Sequence, residues 1–540
     1  MRSPAYRGLL VGACVLLCLF FLLRLGWLLF LGEGIPSDDS LLNALLIGRM
    51  LDGGYPWGRL FRDAYTNGHL NLFPILLQYL WAWLTGWNFR LALFVGVGLG
   101  LAKIFLLHSA LARPREAWIS WLLWTFLFGL TFAVTMMDVF QLDSSAFQLG
   151  LNQLGLVIGI LALVRFPDGA KGALGASLGG WLATWSWGSG AATWPAFLLG
   201  MALLRFRKPA HYLMVAAAAV LSLLPYGILL LVVPKSGQEP KLLTFFNFNL
   251  VLQSLGLPFA QSYDPQMAWW SGLAGLLLGA AGLAACLRHR IDSRRLAAPL
   301  MLLLYVLLHL YQVSLFRSRL MPWYAYQAGL YWIGLLGLAY QLLLEKKSRW
   351  WPCLVTSTVV LLYLGSNWTW EDKVASLRHQ GPASASCLWH YPSAPEATCE
   401  NLLFRWRPYE NFREMAVALA RHRLALFGDR RSWSLQGDMI TGGVVAQIPA
   451  GSRLRWIHGG RDLDYSDFRR LDLEIPPGGK VEWTVDLPSE LRRAELSYER
   501  WTSGGAWEKF RSDLSAEAGK TAKIELGPGL YRYPSILLER

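Results

Sequence analysis

The sequence predicts an α-helical polytopic membrane protein of about eleven transmembrane helices with a C-terminal extracytoplasmic β-rich domain. Three observations predict it. Hydrophobic residues make up 54% of the 540 positions and charged residues only 16%, well under the roughly 25% usual in soluble domains. Apolar runs long enough to cross a bilayer recur as far as residue 366, separated by short basic clusters. From about residue 432 that pattern gives way to strand-like alternation.

A spanning helix needs about 20 mostly apolar residues. Runs that fit lie near 8–31, 89–111, 117–137, 146–164, 172–187, 192–204, 210–233, 267–287, 297–316, 323–344 and 350–366. The first follows Arg2 and Arg7 like a signal peptide, but it is too long for a cleaved segment and no small-residue cleavage site follows. It is expected to stay as the first transmembrane helix. The runs 172–187 and 192–204 flank Trp187-Gly-Ser-Gly190 and are expected to be a broken pair. Beyond the membrane, Leu471–Ile475 and Val481–Val485 alternate as strands do, with a turn at Pro477-Gly-Gly479. Phe412–Leu426 reads as helical.

The basic residues set the topology. Arg2/Arg7, Arg113/Arg115, Arg165/Lys171, Arg205/Arg207/Lys208, Arg288/Arg290/Arg294/Arg295 and Lys346/Lys347/Arg349 fall on alternate boundaries. All lie inside if the N-terminus is cytoplasmic. The net charge of +14 is thereby explained by membrane topology, and no nucleic-acid partner is expected. The apolar run 71–86 would invert this order if it crossed, so it is placed as a helix lying on or dipping into the outer leaflet. Residues 32–88 become one long outer loop. The odd helix count puts the C-terminus outside. The expected domains are a membrane domain 1–366, a mixed connector 367–427 and a β-sandwich-like domain 428–540. Of six Cys, Cys14, Cys18, Cys286 and Cys353 lie in apolar runs, whereas Cys387 and Cys399 lie in a polar stretch where an oxidising compartment would let them pair.

Charge on the outer side is where chemistry is sought. Asp38 and Asp39, in Ile35-Pro-Ser-Asp-Asp-Ser40, precede the amphipathic stretch 41–51. They suit a helix cap, a general base, or one of each. Asp138 and Asp143 close the third helix, and Asp143 also suits a cap for the helix after it. Arg317 and Arg319, followed by Tyr324, stand against the positive-inside trend. They suit either outer-leaflet lipid phosphates or the phosphate of a lipid-linked substrate, which a guanidinium matches bidentately. His69 precedes the dipping run. Lys103 and His108 lie toward the cytoplasmic end of their helix and read as snorkelling or packing residues, while Arg24 is a costlier charge within the first helix.

An ordered set of motifs carries a resemblance. An acidic pair follows the first helix, then an amphipathic helix ending in Arg49-Met-Leu-Asp-Gly-Gly-Tyr-Pro56. Next come His69-Leu-Asn-Leu-Phe-Pro74, Leu80-Trp-Ala-Trp-Leu-Thr-Gly86 and Arg90, an Asp closing helix three, and the late basic segment through Pro322 to Tyr324. Over about residues 8–345 the chain resembles the GT-C superfamily, especially its protein O-mannosyltransferase and aminoarabinose transferase branch. The pair is Asp-Asp where the close branch usually has Asp-Glu, and the segment after 367 matches no branch. The resemblance implies inverting transfer of a sugar from a polyprenyl-phosphate donor to a glycan, lipid or protein acceptor outside the membrane. It puts Asp38 or Asp39 in the place of the catalytic acidic pair and Asp143, or Asp138, in that of the second carboxylate. Arg317, Arg319 and Tyr324 stand for the segment that binds the donor phosphate, and His69 for the basic residue before the dipping helix.

The chemistry suits these residue types. A polyprenyl phosphate leaves as an anion without a general acid, so the step needs a cation on the phosphate and a carboxylate to take the acceptor proton. No cofactor is required on this reading, and a divalent metal is left open. The expected setting is a bacterial inner membrane, with the N-terminus cytoplasmic and the C-terminal domain periplasmic. Two other classes stand beside it. A flippase for a lipid-linked glycan would want interior charge and inverted repeats, and a non-catalytic anchor would only present the periplasmic domain.

Overall fold

The computed structural model describes residues 4–31, 38–53, 55–66, 69–111, 117–133, 139–140, 143–232, 247–260, 264–316, 320–321, 323–344, 353–360, 388, 412–422 and 424, together with strands within 445–539. Its helices are α1 (Pro4–Leu31), α2 (Asp38–Leu51), α3 (Leu60–Asp63), α4 (Leu72–Thr85), α5 (Phe89–Leu111), α6 (Ala117–Thr131), α7 (Asp143–Arg165), α8 (Ala170–Thr184), α9 (Thr193–Leu203), α10 (Pro209–Val232), α11 (Phe248–Gly256), α12 (Pro265–Arg288), α13 (Ser293–Phe316), α14 (Tyr324–Leu344) and α15 (Phe412–Arg421). Among the described residues six helices are long and apolar enough to cross a bilayer, within α5, α7, α10, α12, α13 and α14. This is a helical, multi-pass membrane protein. The two short runs form α8 and α9 on either side of a 3-10 turn, Gly188–Ala192. The expected helix at 117–137 is helical from Ala117 to Thr131. The sequence reading placed no element where α11 stands, because nine residues are too few for a spanning run.

The chain divides into two compact units. The first comprises Met1–Leu29, Pro56–Gln78 and Leu93–Trp370. Polar contacts tie the helix ends that carry basic loops. Ser293 Oγ, at the start of α13, donates to Leu203 O at the end of α9 (2.9 Å). Gln341 Nε2 near the end of α14 donates to Leu111 O at the end of α5 (3.4 Å). Asp168, between α7 and α8, accepts the Arg207 N–H before α10 (2.7 Å). That backbone hydrogen bond, with His211 and Arg207 nearby, holds the Asp168 carboxyl below the usual range. The Arg165/Lys171, Arg205/Arg207/Lys208 and Arg288–Arg295 clusters therefore share one end, here the basic end. At the opposite end lie the 188–192 turn, the starts of α7 and α14, and the segment 69–78.

Small residues set how closely the helices approach. A Cβ on Gly155 of α7 would meet the backbone of Gly179 and Ala183 on α8, and one on Gly179 would meet Gly155. Gly256 and Gly272 bring α11 and α12 together in the same manner. The indoles of Trp181 and Trp185, one turn apart on α8, donate to Ala218 O and Ser222 O on α10 (2.9 and 3.0 Å). The far side of α10 exposes Leu213, Val220, Leu221, Leu224 and Ile228, an apolar face suited to lipid. By contrast α14 is buried almost throughout.

The second unit comprises Phe30–Tyr55, Tyr79–Ala92 and Glu371–Arg540. In it α2 packs on α15: Gly48 faces Ala418, and Asp52 pairs with Arg421 and His422 (3.2 Å each). The turn from α4 to α5 is closed by Trp81 Nε1 donating to Asn88 O (2.9 Å) and by Asn88 Oδ1 accepting the Leu91 N–H. Strands β3 (Val445–Gln447), β4 (Arg453–Trp456), β5 (Leu471–Ile475), β6 (Val481–Asp486), β7 (Arg493–Trp501), β8 (Trp507–Asp513), β9 (Thr521–Leu526) and β10 (Gly529–Glu539) pair antiparallel in the orders β4-β5-β10-β7-β8 and β3-β6-β9. The two strands expected at 471–475 and 481–485 are present but belong to different sheets. The turn expected between them, and Cys387 and Cys399, lie outside the described residues.

Candidate functional site

Asp143 opens α7 and is fully buried (0% exposed). A carboxylate at a helix start suits the positive end of the backbone dipole. Gln78, two turns into α4, donates Nε2 to Asp143 Oδ1 at 2.9 Å. Helix α4 therefore places an amide on the carboxylate.

His69 and Leu70 form β2, which pairs with β1 (Tyr65–Thr66). The Leu70 N–H donates to Tyr226 Oη (2.8 Å), whose own hydroxyl donates to Thr184 O (3.0 Å). This ladder fixes the hairpin against the ends of α8 and α10. The His69 ring stacks on Trp187 (4.2 Å between centroids, 16° between planes). Two residues on, Ser189 lies in the 3-10 turn that packs against α13.

Below these residues lies a hydrogen-bonded polar network that sequence reasoning missed. Tyr305 Oη donates to Asn152 Oδ1 (2.5 Å) and lies 3.1 Å from Gln327 Oε1. Gln327 Nε2 donates to Asn152 Oδ1 (3.0 Å), and Asn152 Nδ2 to Ala183 O (3.0 Å). Gln153 Nε2 donates to Tyr326 O (2.8 Å) and approaches Gln327 Oε1 at 3.1 Å. Lys103 Nζ donates to Gln153 Oε1 (2.8 Å) and sits over the Tyr326 ring (4.1 Å). Lys103 is 2% exposed, so of the two alternatives, snorkelling or packing, it packs: it turns inward, onto amide and ring. His108 does pack, stacked on Trp124 with a 2.8 Å contact to Ser120 Oγ.

Tyr324 begins α14 and is buried. Its ring meets His309 edge to face (6.4 Å), and His309 in turn stacks on Tyr305 (6.2 Å, 16°). His69, Trp187, Ser189, Tyr305, His309 and Tyr324 thus form one connected path at the end of the unit opposite the basic loops. Asp143 lies at that end as well. It stands nine residues before Asn152 on α7, which is about 13 Å of helix.

The other expected residues are placed differently. Asp38 and Asp39 are the first residues of α2, in the second unit. Asp138, Arg317 and Arg319 lie outside the described residues. Among the described residues no three His, Cys, Asp or Glu gather as metal ligands. Beside the network, Tyr305, His309 and Gln312 fall at i, i+4 and i+7, one face of a helix within an apolar run.

No family model, no curated protein and no solved structure matches this chain.

Proposed function

We propose that this chain is an inverting glycosyltransferase of the GT-C superfamily, related to its protein O-mannosyltransferase and aminoarabinose transferase branch. The observation that carries the proposal is the gathering of His69, Tyr324 and buried Asp143 at one end of the helical unit, opposite the basic loops. In sequence these three are far apart, and the resemblance selects all three.

In this reading the donor is a polyprenyl-phosphate sugar, with its tail in lipid. Arg317, Arg319 and Tyr324 hold the phosphate. The acceptor hydroxyl attacks the anomeric carbon, and the bond from that carbon to the phosphate oxygen breaks. The lipid phosphate leaves as an anion, stabilised by the guanidinium groups. By the resemblance, Asp38 or Asp39 takes the acceptor proton, and Asp143 stands for the family's second carboxylate. The membrane is a bacterial inner membrane, with the basic loops cytoplasmic by the positive-inside rule. The strands of 445–539 belong to a periplasmic β-rich domain.

The test is sugar transfer by purified protein in detergent, supplied with polyprenyl-phosphate sugars. Asp38→Asn, Asp39→Asn and Asp143→Asn are assayed separately, and loss of the base lowers the rate ~10²–10⁴-fold. Full activity in all three, and in the Asp38/Asp39 double variant, would remove the carboxylates from the reaction.

One observation favours a second reading. Buried Lys103 and its amide network put an ionisable amine inside the bundle, as a flippase for a lipid-linked glycan would need. Translocation of such a lipid in proteoliposomes, with no transfer in detergent, would select it.

A further inference from the structure

We infer that Tyr305, His309 and Gln312 of α13 form the subsite for the pyranose ring of the donor. The inference rests on the transferase reading above and deepens it. His309 is 0% exposed, and among the described residues neither of its ring nitrogens has a hydrogen-bond partner. The buried Oε1 of Gln312, one turn further along the same face, is likewise without a partner there. A neutral imidazole offers one donor and one acceptor, and an amide oxygen a second acceptor. Sugar hydroxyls donate and accept at once, so they answer all three.

The surroundings favour a neutral, hydroxylated ligand. Tyr305 stacks on the imidazole from one side and Tyr324 meets it edge-on, which fixes the ring plane. The floor is closed by neutral amides, Asn152 and Gln327, already bonded to each other and to Tyr305. Lys103 is engaged with Gln153 and Tyr326. Position adds the strongest argument. In a sugar phosphate the ring is bonded directly to the phosphate, so the two subsites must adjoin. Tyr324, assigned to the phosphate, is in ring contact with His309.

The experiment compares binding of farnesyl monophosphate with that of its β-mannosyl, β-glucosyl and β-arabinosyl esters to the full chain in nanodiscs. Wild type is expected to bind at least one ester ~10-fold more tightly than the bare phosphate, because a site built to hydrogen-bond hydroxyls discriminates against their absence. His309→Phe keeps the ring and removes both nitrogens. It should abolish that preference while leaving the Kd for farnesyl monophosphate unchanged. His309→Gln should restore part of it, and Gln312→Leu should lose part, each in monodisperse protein. A His309→Phe protein that keeps the preference, or that weakens all four lipids equally, overturns the subsite. Wild type binding the four lipids equally would also overturn it, with the carrier site left standing. Wild type binding none of them removes the transferase reading and this inference together.

Discussion

At the scale of single residues, the buried charges give the sharpest expectations. Asp143 is held by Gln78 Nε2. Removing that donor in Gln78→Leu leaves one buried carboxylate oxygen short of a hydrogen bond, a loss of about 1–3 kcal/mol. A lower Tm for Gln78→Leu than for wild type in the same detergent checks this. Lys103 presents the reverse case. Its partners among the described residues, an amide oxygen and an aromatic face, are neutral, and a buried cation without an opposite charge is expensive. Lys103→Met keeps the length and drops the charge. It is expected to raise Tm if Lys103 is only structural, and to abolish translocation if the flippase reading holds. These residues were hard to read from sequence for a physical reason. Hydropathy averages over a window of about 20 residues, so one Lys, His or Gln within an apolar run barely moves it. Asp143 was legible because it stands at a helix start. His309 was not, because nothing in its immediate neighbours marks it.

At the scale of elements, close helix contact is set by glycine. Gly155 and Gly179 let α7 and α8 approach backbone to backbone, as Gly256 and Gly272 do for α11 and α12. Leu at Gly155 or Gly272 cannot be accommodated without shifting a helix, a strain of about 1–3 kcal/mol. Loss of monodisperse protein, or a marked fall in Tm, is the expected result, while Leu at Gly98, which has open space around it, serves as the tolerant control. The Asp168 link between the α7–α8 loop and the start of α10 adds a pH dependence. Its carboxyl titrates lower when folded than when unfolded. Its contribution is therefore present above the ordinary carboxylate range and is lost as pH falls through the folded value. Thermal unfolding of Asp168→Asn should show less acid sensitivity than wild type. Helix positions were largely legible, since apolar runs and basic punctuation mark them. The exception, α11, is a nine-residue helix with no charged residue at its ends.

At the scale of the whole molecule, the basic loops of the described helices gather at one end of the first unit. Three of the six clusters that sequence placed on one side, Arg165/Lys171, Arg205/Arg207/Lys208 and Arg288–Arg295, share one end of the first unit, through Ser293–Leu203 and Asp168–Arg207. Single cysteines introduced at 169 and 291 in a chain lacking its native thiols should react with a membrane-impermeant reagent only after the cytoplasmic face is opened. One at 191, a half-buried position in the turn at the opposite end, should react with it from the periplasmic side. Labelling of 169 in intact cells would invert the proposed orientation. Fold class was legible in composition alone, but a tertiary network cannot be, because Lys103, Asn152, Tyr305 and Gln327 meet only when four helices pack.

Of the six spans, α14 is the least apolar and the most enclosed. During synthesis such a segment has little reason to leave the insertion machinery for lipid by itself, because Gln327 and Gln341 would enter hydrocarbon before their partners on α7 and α5 are in place. Assembly should then have an order: earlier helices wait as a preformed cradle, and α14 is admitted when it can be received. A nascent chain in which α7 is replaced by polyleucine should deliver α14 to the wrong compartment.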